Sequence, residues 1–169
     1  MSTPDRFHAL MRDVARLAAG QELNAGLQAA LNREAGPQSA LFQEIFDTCR
    51  QGVAEGWMCS REGGGIRYGR VIKPAPDLAG CSVDVVDMDD LAGCSVDVVD
   101  MDDLAGPLHA HPNGEIDLIM PLTEGARFDG HGAGWLVYGP GSAHRPTVSG
   151  GRALVLYLLP GGAIDFSPS

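Results

Sequence analysis

The stretch His109-Ala-His111-Pro-Asn-Gly-Glu115, followed by Pro140-Gly-Ser-Ala-His144, decides how this chain can fold. Residues two apart in a β-strand point to the same face, so His109 and His111 project together. The Asn-Gly pair supplies the positive-φ positions of a tight turn or bulge, which returns Glu115 to that face. A strand, a glycine-rich turn and a return strand then bring His144 opposite His109. The spacing predicts three imidazoles and one carboxylate around a single divalent metal.

These two segments resemble the paired metal-binding motifs of the cupin superfamily. The first motif, His-x-His followed after three or four residues by Glu, is matched in full. The second motif is Pro-x-Gly-x-x-His, and here Gly139 stands where the family usually has proline, while Gly141 keeps its position. The resemblance covers residues 57 to 166 and implies that four side chains hold the metal: His109, His111, Glu115 and His144. The alternative is a cupin that has the histidines and binds no metal.

Hydrophobic periodicity divides the chain into a helical part and a strand part. Apolar residues recur at helical spacing in residues 5–19, 22–34 and 38–54. From Trp57, short strands and glycine-rich turns predict a sandwich or barrel. The predicted strands are 65–73, 83–88 or its copy, 115–122, 126–129, 135–138 and 152–159. We therefore expect a mainly β fold, with a cupin-type double-stranded β-barrel over 57–169 and a helical cap over 1–56. A separate helical binding module is the alternative to a cap.

A thirteen-residue segment occurs twice, because residues 77–89 recur unchanged as residues 90–102. An odd insertion within a strand would move every later side chain to the opposite face of the sheet. We therefore expect the copy nearer His109 to form the barrel strand. The other copy would leave the sheet as an acidic loop or an extra hairpin, and a recent tandem duplication is the alternative origin.

Charge and hydropathy argue against a nucleic-acid partner, a membrane span and a signal peptide. The chain has 22 acidic and 12 basic residues, a net charge of −10, which argues against binding nucleic acid. No run of about 18 apolar residues predicts a membrane span. The first residues lack the basic start and apolar core of a signal peptide, so we expect a cytoplasmic protein.

A narrower resemblance concerns Gly106 to Leu122 together with residues 126–130, 134–138 and 153–160. These segments are similar to the 4-hydroxylaminobenzoate lyase family of nitroaromatic degradation. The resemblance implies conversion of 4-hydroxylaminobenzoate to 3,4-dihydroxybenzoate and ammonia, a reaction for which a Lewis-acid metal suffices without flavin or nicotinamide. The ligand set suits Mn²⁺, Fe²⁺, Zn²⁺ or Ni²⁺.

The alternatives to a lyase are a cupin-type Fe(II) dioxygenase acting on a small aromatic acid, and a non-catalytic cupin that binds a small acid. A homodimer is expected, as is common for cupins.

The remaining candidate residues concern the substrate. Asp117 lies two residues beyond Glu115 on the same face, where it would carry a proton or hydrogen-bond a ligating histidine. A substrate carboxylate needs a cation, and arginine pairs both oxygens. The candidate cations are Arg67, Arg70, Arg127 and Arg145, of which Arg67 and Arg70 face opposite sides of one strand. The aromatic candidates for stacking on the substrate ring are Trp135 and Tyr138, with core packing as the alternative.

Overall fold

The computed structural model describes residues 2–18, 20–72 and 94–167, without the side chains of Arg70 and Ile72. Three helices come first: α1 Thr3–Ala18, α2 Ala25–Ala35 and α3 Ala40–Glu55. Asn24 and Ser39 cap α2 and α3, each accepting a hydrogen bond from the backbone N–H three residues later. Gly56 ends α3 with a φ of 84°. Among the described helices, none has the length and apolar character needed to cross a membrane.

Nine strands follow within the described residues, and all of their pairings are antiparallel. Their bounds are β1 Arg61–Gly63, β2 Ile66–Ile72, β3 Cys94–Ala105, β4 His109–His111, β5 Glu115–Pro121, β6 Arg127–Phe128, β7 Gly134–Tyr138, β8 Ser142–His144 and β9 Thr147–Pro160. The large sheet has the order β1-β2-β3-β9-β5-β7, and β6 pairs with the start of β9. The short strands β4 and β8 form a second ladder. The prediction of a mainly β fold preceded by helices is confirmed.

Strand β5 is buried on both faces, because the helices cover one side of the large sheet. Ile116, Leu118 and Met120 pack in a core that includes helix residues such as Phe42. The alternate residues point to the other side, where Ile119 belongs to a second apolar cluster inside the barrel. Each fully buried apolar side chain contributes about 1.5–3 kcal/mol, so the shared core joins the helices to the sheet. The polar residues at the start of β5 are therefore held on a rigid strand.

The second copy of the repeat forms most of β3, which pairs with β2 on one side and β9 on the other. The first copy lies outside the described residues. Asp100, in the second copy, is buried, and Arg152 donates to both of its carboxylate oxygens at 2.8 and 2.6 Å. A register shift between Asp102 and Leu104, with a φ of 44° at Asp103, realigns the end of β3 with β9 before the chain reaches β4.

Candidate metal centre

Four side chains from three strands converge on one point inside the barrel. His109 and His111 lie on β4, Glu115 begins β5 and His144 ends β8. One potential ligand atom from each lies within 4.8 Å of all the others. Ligand atoms bound to one ion at about 2.1 Å stand about 3–4 Å apart, so small side-chain movements close this cluster around a metal. The structure thus brings together the four residues for which the sequence predicted metal binding.

The backbone explains why these four side chains meet. In the β4–β8 ladder His109 is paired directly with His144, so both side chains project from the same face. Between His111 and Glu115 the chain turns at Gly114, whose φ is 85°. A Cβ at Gly114 would lie 2.7 Å from the carbonyl oxygen of Tyr138, so the turn requires glycine. The turn brings Glu115 Oε2 within 2.7 Å of His111 Nε2.

Each histidine of the cluster is held through its Nδ1 atom. His109 Nδ1 donates to the carbonyl of Pro107 at 3.2 Å, and His144 Nδ1 donates to Asp129 Oδ2 at 2.5 Å. His111 Nδ1 lies 3.0 Å from the hydroxyl oxygen of Ser142. When Nδ1 donates, the lone pair of the neutral ring is on Nε2 and points toward the cluster. Partners of this kind fix the tautomer and the ring orientation of metal-binding histidines.

The polar atoms of the cluster are mainly electron-pair donors, which a cation would pair. His109 Nε2 and His144 Nε2 lie 3.0 Å apart, so their lone pairs face each other unless a proton or a cation stands between them. His111 Nε2 and Glu115 Oε2 are buried, and apart from their mutual 2.7 Å contact neither has a hydrogen-bond partner among the described residues. Leaving such atoms unpaired is costly in a protein interior. Three imidazole nitrogens and a carboxylate oxygen therefore fit a divalent metal.

Two neighbouring carboxyls in the barrel have opposite pKa shifts. Burial opposes ionisation of Glu115, but the adjacent Asp117, His109 and His111 favour its ionised form and lower the pKa of Glu115. Asp117 is fully buried, and none of the described residues donates to its carboxyl oxygens. Burial first, and then the charge of Glu115, raises the pKa of Asp117 well above its ordinary value. These two shifts favour the ionised form of Glu115 and the neutral form of Asp117.

Asp129 lies beside the cluster as the partner of His144, and it was not among the residues predicted from the sequence. Its Oδ2 accepts hydrogen bonds from His144 Nδ1 and from the hydroxyl of Tyr138, both at 2.5 Å, and its Oδ1 accepts from the backbone of Thr147 at 2.9 Å. Burial opposes ionisation of Asp129, but these three hydrogen bonds lower its pKa. Sequence analysis considered Asp117 as the hydrogen-bond partner of a histidine, and the structure gives that place to Asp129. The available signal was the Asp129-Gly130 turn after an apolar strand.

Replacing Asp129 with asparagine should lower metal affinity about 10- to 100-fold, because His144 loses its charged partner while remaining in place. Metal titration of the purified variant, with a fluorescent chelator as competitor, measures this change. Tyr138→Phe is the matched control, since it removes one hydrogen bond to Asp129 and leaves the bond to His144. We expect a smaller loss for that variant, and equal losses would contradict a specific role for the Asp129–His144 contact.

A cavity of about 420 Å³ opens beside the cluster, and His109 and Glu115 form part of its wall. Most of the wall is apolar or aromatic: Ile66, Tyr68, Val99, Met101, Pro107, Phe128, Pro146, Val155, Tyr157, Ile164 and Phe166, with Gly63. Pockets for small ligands have this size and this apolar character with a few polar groups. Among the described residues, no lysine or arginine lines the cavity. The metal cluster therefore opens on an apolar space in which an aromatic ring fits.

The structure does not bring most of the predicted substrate-binding residues to this cavity. Arg67 lies 3.6 Å from Asp100, paired with it across β2 and β3 on the face of the sheet that the helices cover. Arg127 is exposed and donates to the carbonyl of Gly130. Neither of these two arginines is among the residues that line the cavity. Arg70 pairs with Asp97 through the backbone, and its side chain lies outside the description.

The two aromatic candidates lie on opposite faces of β7. Trp135 packs in the core between sheet and helices, where its Nε1 donates to the carbonyl of Ala35 at 2.8 Å. Tyr138 faces the cluster, with its ring centroid 4.6 Å from that of His144 and 5.4 Å from that of His111. The odd spacing of the two residues in one strand accounts for this separation. Trp135 is therefore a core residue, and Tyr138 packs against two histidines of the cluster.

Comparison with known proteins places the chain in a family. The family model described as PnbB, 4-hydroxylaminobenzoate lyase, matches residues 6–166. The chain is 33% identical to a 4-hydroxylaminobenzoate lyase of Pseudomonas putida, covering 98% of this chain and 97% of the relative. It is 31% identical to a protein of the same name from a Nocardioides species, covering 98% and 96%. An RmlC-like cupin protein from Ralstonia eutropha shares 12% identity over 60% of each chain, with a TM-score of 0.41. The chain belongs to the 4-hydroxylaminobenzoate lyase family.

Proposed function

We propose that this protein is a metal-dependent lyase that converts 4-hydroxylaminobenzoate and one water to 3,4-dihydroxybenzoate and ammonia. The activity named for the two relatives supports the reaction. The observation that carries the proposal is the His₃Glu cluster at the wall of an apolar cavity of about 420 Å³. We propose Mn²⁺, Fe²⁺, Zn²⁺ or Ni²⁺ as the metal, because each accepts imidazole and carboxylate ligands.

The residues of the chain supply orientation, charge and exclusion of water. A bound divalent metal supplies Lewis-acid polarisation of oxygen and a lower pKa for water. His109, His111, His144 and Glu115 would hold it. The Tyr138–Asp129–His144 hydrogen bonds fix His144 against the cluster. The apolar wall keeps bulk water from the ring, which strengthens electrostatic interactions at the reacting atoms.

Asp117 is proposed to take part in the reaction through Glu115. Asp117 is buried, and its burial together with the charge of Glu115 raises the pKa of its carboxyl. A proton from Asp117 would pass by way of Glu115 to the departing hydroxyl, which would leave as water. Asp117→Asn keeps the shape and removes the proton donor. We expect it to retain metal and to lower kcat at least about tenfold. An unchanged kcat would show that Asp117 takes no part in the reaction.

Anaerobic turnover tests the proposed function. Since the reaction is redox-neutral, metal-loaded protein should release one ammonia for each 4-hydroxylaminobenzoate consumed at the same rate with and without oxygen. Ammonia and 3,4-dihydroxybenzoate are quantified in a glove box and in air. Uptake of O₂ that matches product formation would instead identify a cupin-type dioxygenase. Binding without turnover under both conditions would identify a non-catalytic cupin.

Three broader assignments remain predictions. We propose a place in nitroaromatic degradation, because the substrate class is a partly reduced nitro compound. A homodimer and a cytoplasmic location are likewise proposed. The molecular mass in solution tests the homodimer, and cell fractionation tests the cytoplasmic location.

A further inference from the structure

The segment that follows β9 folds back onto the strand that carries the first two histidines. Two successive glycines, with φ values of 68° and 65°, reverse the chain directly after β9. We call residues 163–167 the return segment. Asp165 pairs with Ala110 through two backbone hydrogen bonds of 2.7 and 2.9 Å. Ala110 is the residue between His109 and His111, so the return segment is attached to the metal-binding strand itself.

This pairing decides which side chains of the return segment meet the cavity. In an antiparallel pair, opposite residues share a face of the ladder and their neighbours along the chain take the other face. Ala110 and Asp165 share one face, and the residues that flank Asp165 lie on the face of His109. Ile164 and Phe166 do line the cavity together with His109. A short stretch outside the large sheet thus completes the wall beside the metal cluster.

Phe166 is placed to meet a ligand that approaches the cluster. Its ring centroid lies 5.5 Å from that of His109, with an interplanar angle of 65°. Yet the residue is 58% exposed, the largest value among the exposed large apolar residues of the described chain. Exposing an apolar ring to water is unfavourable, and an aromatic ligand in the cavity would cover it. Phe166 therefore contacts a predicted metal ligand, lines the cavity and keeps much of its apolar surface exposed.

We propose that Phe166 positions the aromatic ring of the substrate and makes the protein prefer aromatic acids over non-aromatic acids of similar size. The inference rests on the proposed function and names the residue that selects its substrate class. Aromatic pairs prefer edge-to-face or offset arrangements with centroids 4.5–7 Å apart. A planar ring beside His109 meets Phe166 in such an arrangement. A saturated ring has no π-system and gains only apolar contact.

Binding of two ligands that lack an N–O bond tests this inference. 4-Aminobenzoate and cyclohexanecarboxylate are titrated by calorimetry into metal-loaded unaltered protein and into Phe166→Ala, Phe166→Leu and Leu108→Ala. Leu108 is the matched control, because it is 43% exposed, precedes His109 and is not part of the cavity wall. The metal content of each variant is measured in the same samples.

We expect Phe166→Ala to bind 4-aminobenzoate about tenfold more weakly and cyclohexanecarboxylate at most about threefold more weakly, because the saturated ring loses apolar contact alone. Phe166→Leu should show the same loss for the aromatic acid, and Leu108→Ala should bind both ligands unchanged. Unchanged binding of 4-aminobenzoate to Phe166→Ala, equal losses for the two ligands, or loss of metal in that variant would each overturn the inference and leave the lyase proposal standing. If the unaltered protein binds no aromatic acid, both the inference and the proposed substrate class are wrong.

Discussion

Replacing His111 or His144 with alanine should remove the metal and the activity together. Each substitution deletes one of four converging ligand atoms and leaves the remaining three without a closed site. Losing a ligand costs more than losing its outer hydrogen-bond partner, so we expect metal affinity to fall more than about 100-fold. Elemental analysis after dialysis and the rate of 4-hydroxylaminobenzoate consumption measure the two effects in the same preparation.

The control for these variants is His131→Ala. His131 lies between two glycines, is exposed and is not part of the cluster. This variant should keep full metal content and full activity. Full metal occupancy in His111→Ala and His144→Ala would end the assignment of the metal centre. Loss of metal with retained activity would show that the reaction does not depend on the cluster.

Replacing Trp135 with alanine should lower the free energy of unfolding by about 3–5 kcal/mol, the usual cost of removing a large buried aromatic side chain. The substitution removes ring contacts in the core between sheet and helices and leaves the carbonyl of Ala35 without its donor. Urea unfolding followed by circular dichroism measures the loss.

The milder Trp135→Phe variant separates stability from substrate binding. It keeps an aromatic ring in the core and loses the indole N–H, so we expect reduced stability with an unchanged KM. Tyr138→Phe, on the other face of β7, should have little effect on unfolding. An increased KM with unchanged stability in Trp135→Phe would instead indicate that Trp135 contacts the substrate.

Local patterns in the sequence predicted the elements of the fold well. The helices predicted at 22–34 and 38–54 are observed as Ala25–Ala35 and Ala40–Glu55, because caps and glycine breaks define their ends. The strand predicted at 115–122 is observed as Glu115–Pro121. Strand β9 was predicted at 152–159 and begins earlier, at Thr147. The observed strand runs through Gly150 and Gly151, both of which have positive φ values. The division of the chain at residues 56 and 57 stays a prediction.

The candidate site was predictable where its geometry is local. Residues two apart on a strand share a face whatever surrounds them, which is why His109 and His111 were identified correctly as neighbours of one cluster. Asp129 reaches His144 from fifteen residues away through a turn whose direction the sequence does not specify. Arg67 was a reasonable cation for a carboxylate, but its cross-strand partner Asp100 depends on the register of β2 with the second repeat copy. Long-range pairing of this kind is not encoded in spacing along the chain.

The central claim is that the His₃Glu cluster holds the metal on which turnover depends, and titration of metal back into chelated protein tests it most directly. Protein treated with chelator is titrated anaerobically with Mn²⁺, Fe²⁺, Zn²⁺ or Ni²⁺ while ammonia release from 4-hydroxylaminobenzoate is followed. With at least one of these ions, activity should rise from background in proportion to bound metal and reach its maximum when the four-ligand cluster of every chain holds one ion. Full turnover by the metal-free protein would contradict the account.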